Sequence, residues 1–356
     1  MPRVLHVVQS GDGGGVQRHV HDLATGLAGQ TAAIVTGTEG WLTRRARDSG
    51  VSVHRAGHLE RSLDPRRVAL ARRELAEVCQ TAAPDLLHAH GIFALLAALP
   101  MAGGLPIVYT GHGFQWHDTT HPWGLRRLAL SIHRHAARKV TAFVAVASEA
   151  DEARRVGFQR VERIPNGVIS WDAGASPGDS NTFGVATRLV PGKGLEELLS
   201  VLVSAPDLRL CIAGDGPLRK GIEQEALRLG CGDRLELLGW QDDLQEFYAG
   251  LFAYVSLSRK EGLPYGALDA LAAGLPVVLS DIPGHRELVD GALNGCLVPP
   301  GDVEAVAGAL RRLATDRARC AAAGAASREL AKERYSLDQM LERHAELYAS
   351  IGGTAG

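Results

Sequence analysis

Short apolar runs alternate with amphipathic stretches along almost the whole chain. In the first half the runs Val4–Gln9, Ala32–Thr36, Leu86–His90, Ile107–Thr110, Ala142–Ala147 and Val161–Ile164 predict strands. The stretches Val16–Leu27, Pro65–Thr81, Ile92–Met101, Leu125–Lys139 and Glu149–Arg155 predict helices between them. The second half repeats the pattern, with strands at Phe183–Thr187, Arg209–Ala213, Arg234–Leu238, Phe252–Ser256 and Val277–Leu279. Its helices start near Lys193, Pro217, Asp242, Pro264 and Asp302. Strands that are apolar throughout, separated by helices, indicate parallel sheets covered on both faces. The stretch from Ser170 to Ser180 is small, polar and without periodicity, which marks a linker. The pattern therefore predicts an α/β chain of two doubly wound domains. The cleft between them is the default ligand site, because open parallel sheets bind ligands at their strand ends.

Composition supports this and narrows it. A length of 356 residues suits two domains. An aromatic content of only 5% leaves Ala, Val and Leu to fill the cores. The five cysteines are scattered, with neither metal spacing nor a disulfide framework, so reduced buried thiols in a cytoplasmic protein are expected. The N-terminal apolar run is too short for a signal peptide. The longest apolar stretch, Ile92 to Ala102, falls short of the roughly 20 residues of a membrane span, so any membrane contact would be peripheral. The net charge of -2 conceals an asymmetry: residues 1–168 hold 20 Lys/Arg against 14 Asp/Glu, while residues 169–356 hold 18 against 26. Twelve of the 14 histidines also lie in the first half. Such a split suggests that one half faces an anionic partner. The positive charge is diluted and no recognition motif is present, so a nucleic-acid role is not expected.

The chemistry concentrates in the second half. Glu261-Gly262-Leu263-Pro264-Tyr265-Gly266-Ala267-Leu268-Asp269 sets two carboxylates eight positions apart across a strand-to-helix turn, with Pro264 suited to the first helical position. A helix start offers free N–H groups to a phosphate. Acids on either side can grip hydroxyls, so the segment suits a nucleotide-sugar. Arg188 and Lys193, in Arg188-Leu189-Val190-Pro191-Gly192-Lys193-Gly194, put two cations on a glycine-rich strand-end loop. They can stabilise the charge that builds on a departing diphosphate. Ala213-Gly214-Asp215-Gly216-Pro217-Leu218 is a strand-to-helix turn, read equally well as structural or as ligand-touching. Trp240, after Gly239, is large enough to cover the core. Asp242-Asp243 looks like a helix N-cap, not a metal motif, and no obligatory metal is expected.

In this order these motifs resemble the family 4 retaining glycosyltransferases of the GT-B fold, in particular their bacterial polysaccharide-biosynthesis members. The resemblance covers nearly the whole chain. It implies an N-terminal Rossmann-like acceptor domain over 1–168, a linker at 169–181, and a nucleotide-sugar domain over 182–334. The C-terminal helix, within 335–356, would pack back on the first domain. It also implies that Arg188 and Lys193 hold the diphosphate, Glu261 the transferred sugar and Asp269 the ribose. The family usually has Glu at that second acid. Asp is shorter by roughly 1.5 Å, one carbon–carbon bond, which leaves three readings open: it reaches the ribose directly or through a water, the nucleotide sits differently, or donor affinity is weaker. The N–H groups of Gly262 and Leu263 would complete the phosphate cradle, with Gly214 and Trp240 also on the donor side. Gly14 and Gly15, in the loop Gln9–Val16, would leave room for the donor phosphate and acceptor. His112, in Thr110-Gly111-His112-Gly113-Phe114, would orient the sugar, since front-face attack assisted by the leaving phosphate is the usual proposal for such enzymes. Asn166, in Pro165-Asn166-Gly167-Val168, fits an interdomain turn.

The implied partners are a UDP- or GDP-sugar donor and a glycan or polyprenyl-diphosphate-linked acceptor, with no cofactor beyond the co-substrate. Aromatic and basic residues from Phe114 to Lys139 leave two readings open: an ordinary surface helix, or one that seats on an anionic membrane. Two other functions also stay open, a GT-B-like nucleotide-sugar epimerase or hydrolase and a catalytically silent binding subunit.

Overall fold

The computed structural model describes residues 1–113, 122–171 and 180–352. The chain divides into two compact units, one formed by Met1–Asn166 with the segment from Leu337 onward, the other by Gly167–Ser336. Phe114, Trp116, His117 and His121, and residues 172–179 of the expected linker, lie outside the described residues.

In the first unit the described strands are β1 (Val4–Val8), β2 (Thr31–Thr36), β3 (Val53–Arg55), β4 (Leu86–His90), β5 (Ile107–Thr110), β6 (Ala142–Ala145) and β7 (Val161–Arg163). They form one sheet in the order β3-β2-β1-β4-β5-β6-β7, all pairs parallel. Alternate residues face opposite sides. Leu5, Val7, Leu87 and Ala89 pack into one core, against the helices Pro65–Ala82 and Ile92–Ala98. Val4, Leu86, Val108 and Val144 face the other side, where Leu23 of helix Gly15–Gly26 and Met340, Leu347, Tyr348 and Ile351 of helix Leu337–Gly352 cover them. Leu341 of that C-terminal helix also fills the space beside Gly26.

The second unit contains β8 (Thr182–Ala186), β9 (Arg209–Ala213), β10 (Leu235–Gly239), β11 (Ala253–Ser256), β12 (Val277–Ser280) and β13 (Gly295–Val298), ordered β10-β9-β8-β11-β12-β13 and parallel throughout. The two-domain, parallel-sheet architecture read from the hydrophobic pattern is thus present. Elements absent from that pattern include β3, β13, the short helices Trp41–Asp48 and Pro283–Arg286, and the 18-residue helix Arg317–Arg334. The unit boundaries fall two residues away from the expected 168 and 334, because Val168 belongs with the second unit. Its N–H donates to Tyr335 O at 2.8 Å and it bridges Ser336.

One local expectation is corrected. Pro264 is not the first helical residue but the N-cap, with extended backbone (φ -74, ψ 125), and the helix runs Tyr265–Ala272. Of the expected N-cap pair, Asp243 accepts from Gln245 N, the first residue of helix Gln245–Ala249, at 2.8 Å, while Asp242 accepts the indole N–H of Trp240 at 2.9 Å. The five cysteines are free, and three of them (Cys211, Cys231, Cys320) are buried; Cys79 and Cys296 are only partly covered. Among the described residues no helix is long and apolar enough to cross a membrane.

Candidate active site

In the second unit the predicted donor residues gather where β8 and β11 lie side by side. Strand order reverses direction at this pair, the position where open parallel sheets place ligands beyond their carboxyl ends. Lys193 follows β8 and Glu261 follows β11. The Lys193 ammonium donates to Glu261 Oε1 at 2.5 Å, both side chains being largely covered, at 18% and 15% exposure. The loop carrying Lys193 is fixed from several sides. Arg259 N donates to Gly192 O at 2.9 Å, and Leu189 N to Asp215 O at 2.9 Å. Gly194 has φ 71 and a Cβ there would overlap Leu257 O, so both the turn and the close approach require glycine. Arg188, on the same loop, is exposed and has no side-chain partner among the described residues.

The other predicted donor residues occupy neighbouring strand ends of this unit. Gly214 N donates to Gly239 O at 2.7 Å, which joins the turns after β9 and β10. Trp240 is 46% exposed, with its indole N–H taken by Asp242. Gly262 leads into the helix Tyr265–Ala272, Leu263 is buried, and Asp269 is only 2% exposed on that helix. Asp269 therefore sits inside the unit rather than on its surface.

One neighbour of this site was missed. His285, on the turn after β12, is fully buried, with Nδ1 3.0 Å from Ser280 O and Nε2 without a partner. Burial lowers its pKa; Glu261 opposes that shift and Lys193 adds to it, so the imidazole feels both members of the ion pair. Gly284, beside it, packs its backbone directly on the Glu261-Gly262 turn, where a Cβ would overlap both carbonyl oxygens. The signal was in the sequence: Pro283-Gly284-His285 follows a strand, as Thr110-Gly111-His112 does.

The first unit holds a different cluster. The β1–β4 pair sets His6 beside His88 and Val8 beside His90 on one face of the sheet. His19, from helix Gly15–Gly26, and His344, from helix Leu337–Gly352, close over that face. His112 joins at the end of β5, with a left-handed backbone (φ 51) that is uncommon outside glycine. His6 Nδ1 is 3.3 Å from His90 Nε2, and His90 Nδ1 is 3.3 Å from His112 Nε2. His19 and His112 stack edge to face, centroids 4.9 Å apart.

Burial dominates the electrostatics of these rings. It lowers His6 and His112 to about 3 and His344 to about 4, and takes His19, His88 and His90 well below 6.5. All six are neutral near pH 7. Their hydrogen bonds are incomplete, however: the Nε2 atoms of His6, His19 and His344 are buried without partners. Each such atom costs about 1–3 kcal/mol. His133 shows the ordinary solution, since its Nδ1 donates to Ala129 O at 2.7 Å and its Nε2 accepts from Tyr109 Oη at 2.9 Å. Gly14 and Gly15 lie in this unit, at the start of the helix that carries His19. Asn166 also belongs here, its Oδ1 accepting from His19 Nδ1 at 3.0 Å.

The sequence comparisons divide the chain at nearly the same point. Residues 13–170 match the Glycosyltransferase Family 4 profile, and residues 172–330 match the Glycosyl transferases group 1 profile. The chain belongs to the family 4 glycosyltransferases. This family 4 chain is 27% identical over 261 residues to the Escherichia coli UDP-Gal:alpha-D-GlcNAc-diphosphoundecaprenol alpha-1,3-galactosyltransferase, covering 65% of the chain and 67% of that protein. It is 30% identical over 252 residues to the Xanthomonas oryzae GDP-mannose:cellobiosyl-diphosphopolyprenol alpha-mannosyltransferase, covering 65% and 64%. A 32% identical match to a Streptomyces coelicolor exopolysaccharide phosphotransferase covers 54% of the chain but only 21% of that larger protein. The structure of Anabaena HepE in complex with UDP and glucose superposes with a TM-score of 0.86 at 21% identity, covering 99% of this chain and 100% of that one. The fold of this glycosyltransferase is GT-B.

Proposed function

We propose that this glycosyltransferase moves a sugar, with retention of configuration, from a UDP- or GDP-linked donor held by the second unit to a glycan or lipid-diphosphate acceptor served by the first. The observation that carries the reading is the Lys193–Glu261 pair at the β8/β11 reversal, with Arg188 free on the same loop. A nucleoside diphosphate competes with Glu261 for the Lys193 ammonium and brings Arg188 a bidentate partner. Glu261, released, accepts hydroxyl hydrogens from the sugar. Charge then builds on the leaving diphosphate within reach of two cations and the N–H groups of Gly262 and Leu263. His112 orients the acceptor side as a neutral imidazole, hydrogen-bond competent but not a general acid at pH 7. No protein nucleophile and no metal is required for this step: the departing phosphate takes the acceptor proton on the same face.

The relatives' names support the substrate class, for they specify UDP-Gal or GDP-mannose, polyprenol-diphosphate acceptors and α-linked products. Peripheral contact with an anionic membrane fits such an acceptor. Helix Trp123–Ala136 exposes Trp123 at 68%, Leu125 at 48% and Leu128 at 44%, with Arg127 over the Trp123 ring. A cytoplasmic protein on the inner face of the membrane is the setting this requires.

The test is a binding screen of UDP, GDP and their sugars by thermal shift and calorimetry, followed by transfer to polyprenyl-diphosphate sugars with the product anomer read by NMR. Binding of one nucleotide that Arg188→Ala weakens, and an α-linked product from an α-linked donor, are expected. A donor split or isomerised without acceptor identifies a hydrolase or epimerase instead. No nucleotide binding, or binding indifferent to Arg188→Ala, overturns the diphosphate assignment.

A further inference from the structure

The imidazole cluster of the first unit does more than fill a core. We propose that His19, His90 and His112 form a binding site for one divalent transition ion of the Zn²⁺ type. Their ring nitrogens lie within 4.8 Å of one another. The His19 tautomer is set by its partner: Asn166 Oδ1 only accepts, so Nδ1 carries the proton and Nε2 keeps a lone pair. That Nε2 is fully buried and meets no donor. Anchoring one imidazole nitrogen on a carbonyl-type oxygen while the other stays bare is how proteins orient histidine ligands.

The other two ligands fit as well. Nitrogens bound at about 2.05 Å to a tetrahedral ion lie about 3.3 Å apart, and His90 Nδ1 and His112 Nε2 are 3.3 Å apart. When His90 Nδ1 binds the ion, its Nε2 proton points at His6 Nδ1, 3.3 Å away, which places His6 behind the ligand. The half-buried ring of His112 supplies the way in. Three imidazoles without a carboxylate select Zn²⁺, Co²⁺, Ni²⁺ or Cu²⁺ over Mg²⁺ or Ca²⁺, which need oxygen ligands.

A second triple, His6, His88 and His90, shares His90 and is less suited. Both nitrogens of His88 are engaged, Nδ1 with Tyr348 Oη at 2.7 Å and Nε2 with Thr110 Oγ1 at 2.8 Å. One ion, at the first triple, is the outcome. The proposal does not depend on the donor reading, since none of its residues belongs to the second unit.

The experiment uses the full chain, stripped with a chelator and titrated with Co²⁺ in the absence of nucleotide. One equivalent should give the intense visible absorption of a tetrahedral, imidazole-rich site, and Zn²⁺ should bleach it. Asn166→Ala should weaken binding about ten- to a hundredfold, and His19→Gln should weaken it further. His135→Gln, on the exposed surface, should leave it unchanged. Should the buried variants fail to fold, X-ray absorption on the Zn²⁺-loaded wild type decides, with three imidazoles expected around the ion. Fewer than three, no tetrahedral Co²⁺ band, or equal affinity in a folded His19→Gln variant would each overturn the assignment.

Discussion

The two units use the same sheet plan and place opposite chemistry at its reversal point. In the first, the neighbours are β1 and β4, and the polar groups there are neutral imidazoles within the strands themselves, His6, His88 and His90, sealed under two helices. In the second, the neighbours are β8 and β11, and the polar groups are charged side chains on the loops beyond the strand ends. Topology decides where a site can be built; the position of the polar residue, inside a strand or after it, decides whether that site is dry and neutral or accessible and charged. A loop cation can trade its carboxylate for a phosphate at little structural cost. A strand imidazole can only be deprotonated, hydrogen-bonded or metal-bound.

If that contrast is right, removing charge from the second unit should affect catalysis first. Lys193→Ala is expected to lower transferase kcat by about 10²–10³-fold, the usual loss when one stabilising donor to a developing anion is removed. The melting temperature should also fall, because Lys193→Ala leaves the largely covered Glu261 carboxylate without this partner. Steady-state kinetics beside a thermal melt checks both. Full activity would show that Lys193 does not face the leaving group.

The first unit should respond instead to protons. His133, fully buried beside Tyr109, has a folded pKa near 4 against an ordinary 6.5; burial lowers it and its bond to Ala129 O opposes that in part. A histidine with a depressed folded pKa binds fewer protons folded than unfolded. Its contribution to stability is therefore complete above pH 6.5 and declines as pH falls toward about 4. The slope is about 1.4 kcal/mol per pH unit, so about 3 kcal/mol is lost across the window. His133→Gln, which can still accept from Tyr109, should make the pH slope of denaturant-measured stability shallower over that range by one proton's share, the clustered histidines keeping theirs. An unchanged pH slope would mean that His133 is protonated in the folded unit. In the second unit His285 alone, among the described histidines, acts in this direction.

The same contrast explains what could be read from the sequence. Parallel strands and their helices were legible because apolar runs such as Leu86–His90 and Val277–Leu279 stand out against periodic helices. Lys193 and Glu261 were legible because glycine-rich strand-end turns carry their chemistry in contiguous residues, 188–194 and 261–269. The imidazole cluster was not. His6, His19, His90, His112 and His344 are contributed by two strands, a loop and two helices, and each alone looks like an isolated histidine in an apolar run. A hint existed in the two-residue spacing of His88 and His90 on a central strand. β3 and β13 were missed because Val53-His54-Arg55 has no apolar run and Gly295-Cys296-Leu297-Val298 opens with a poor strand former.

Asp269 tests the comparison at its weakest point, since it is a second-unit carboxylate with first-unit burial. At 2% exposure on helix Tyr265–Ala272 it resembles a core residue more than a loop ligand. A carboxylate that only supports the core and one that reaches a ribose predict different results for Asp269→Glu. Adding a methylene to a closed, well-packed position costs stability, about 1–2 kcal/mol. A longer acid that still meets the ribose also lowers the donor KM, because the hydroxyl contact is made without an intervening water. Calorimetric unfolding and donor-saturation kinetics on the one variant separate these. A destabilised protein with unchanged KM assigns Asp269 to packing alone, and a lower KM keeps it as a donor contact despite its burial.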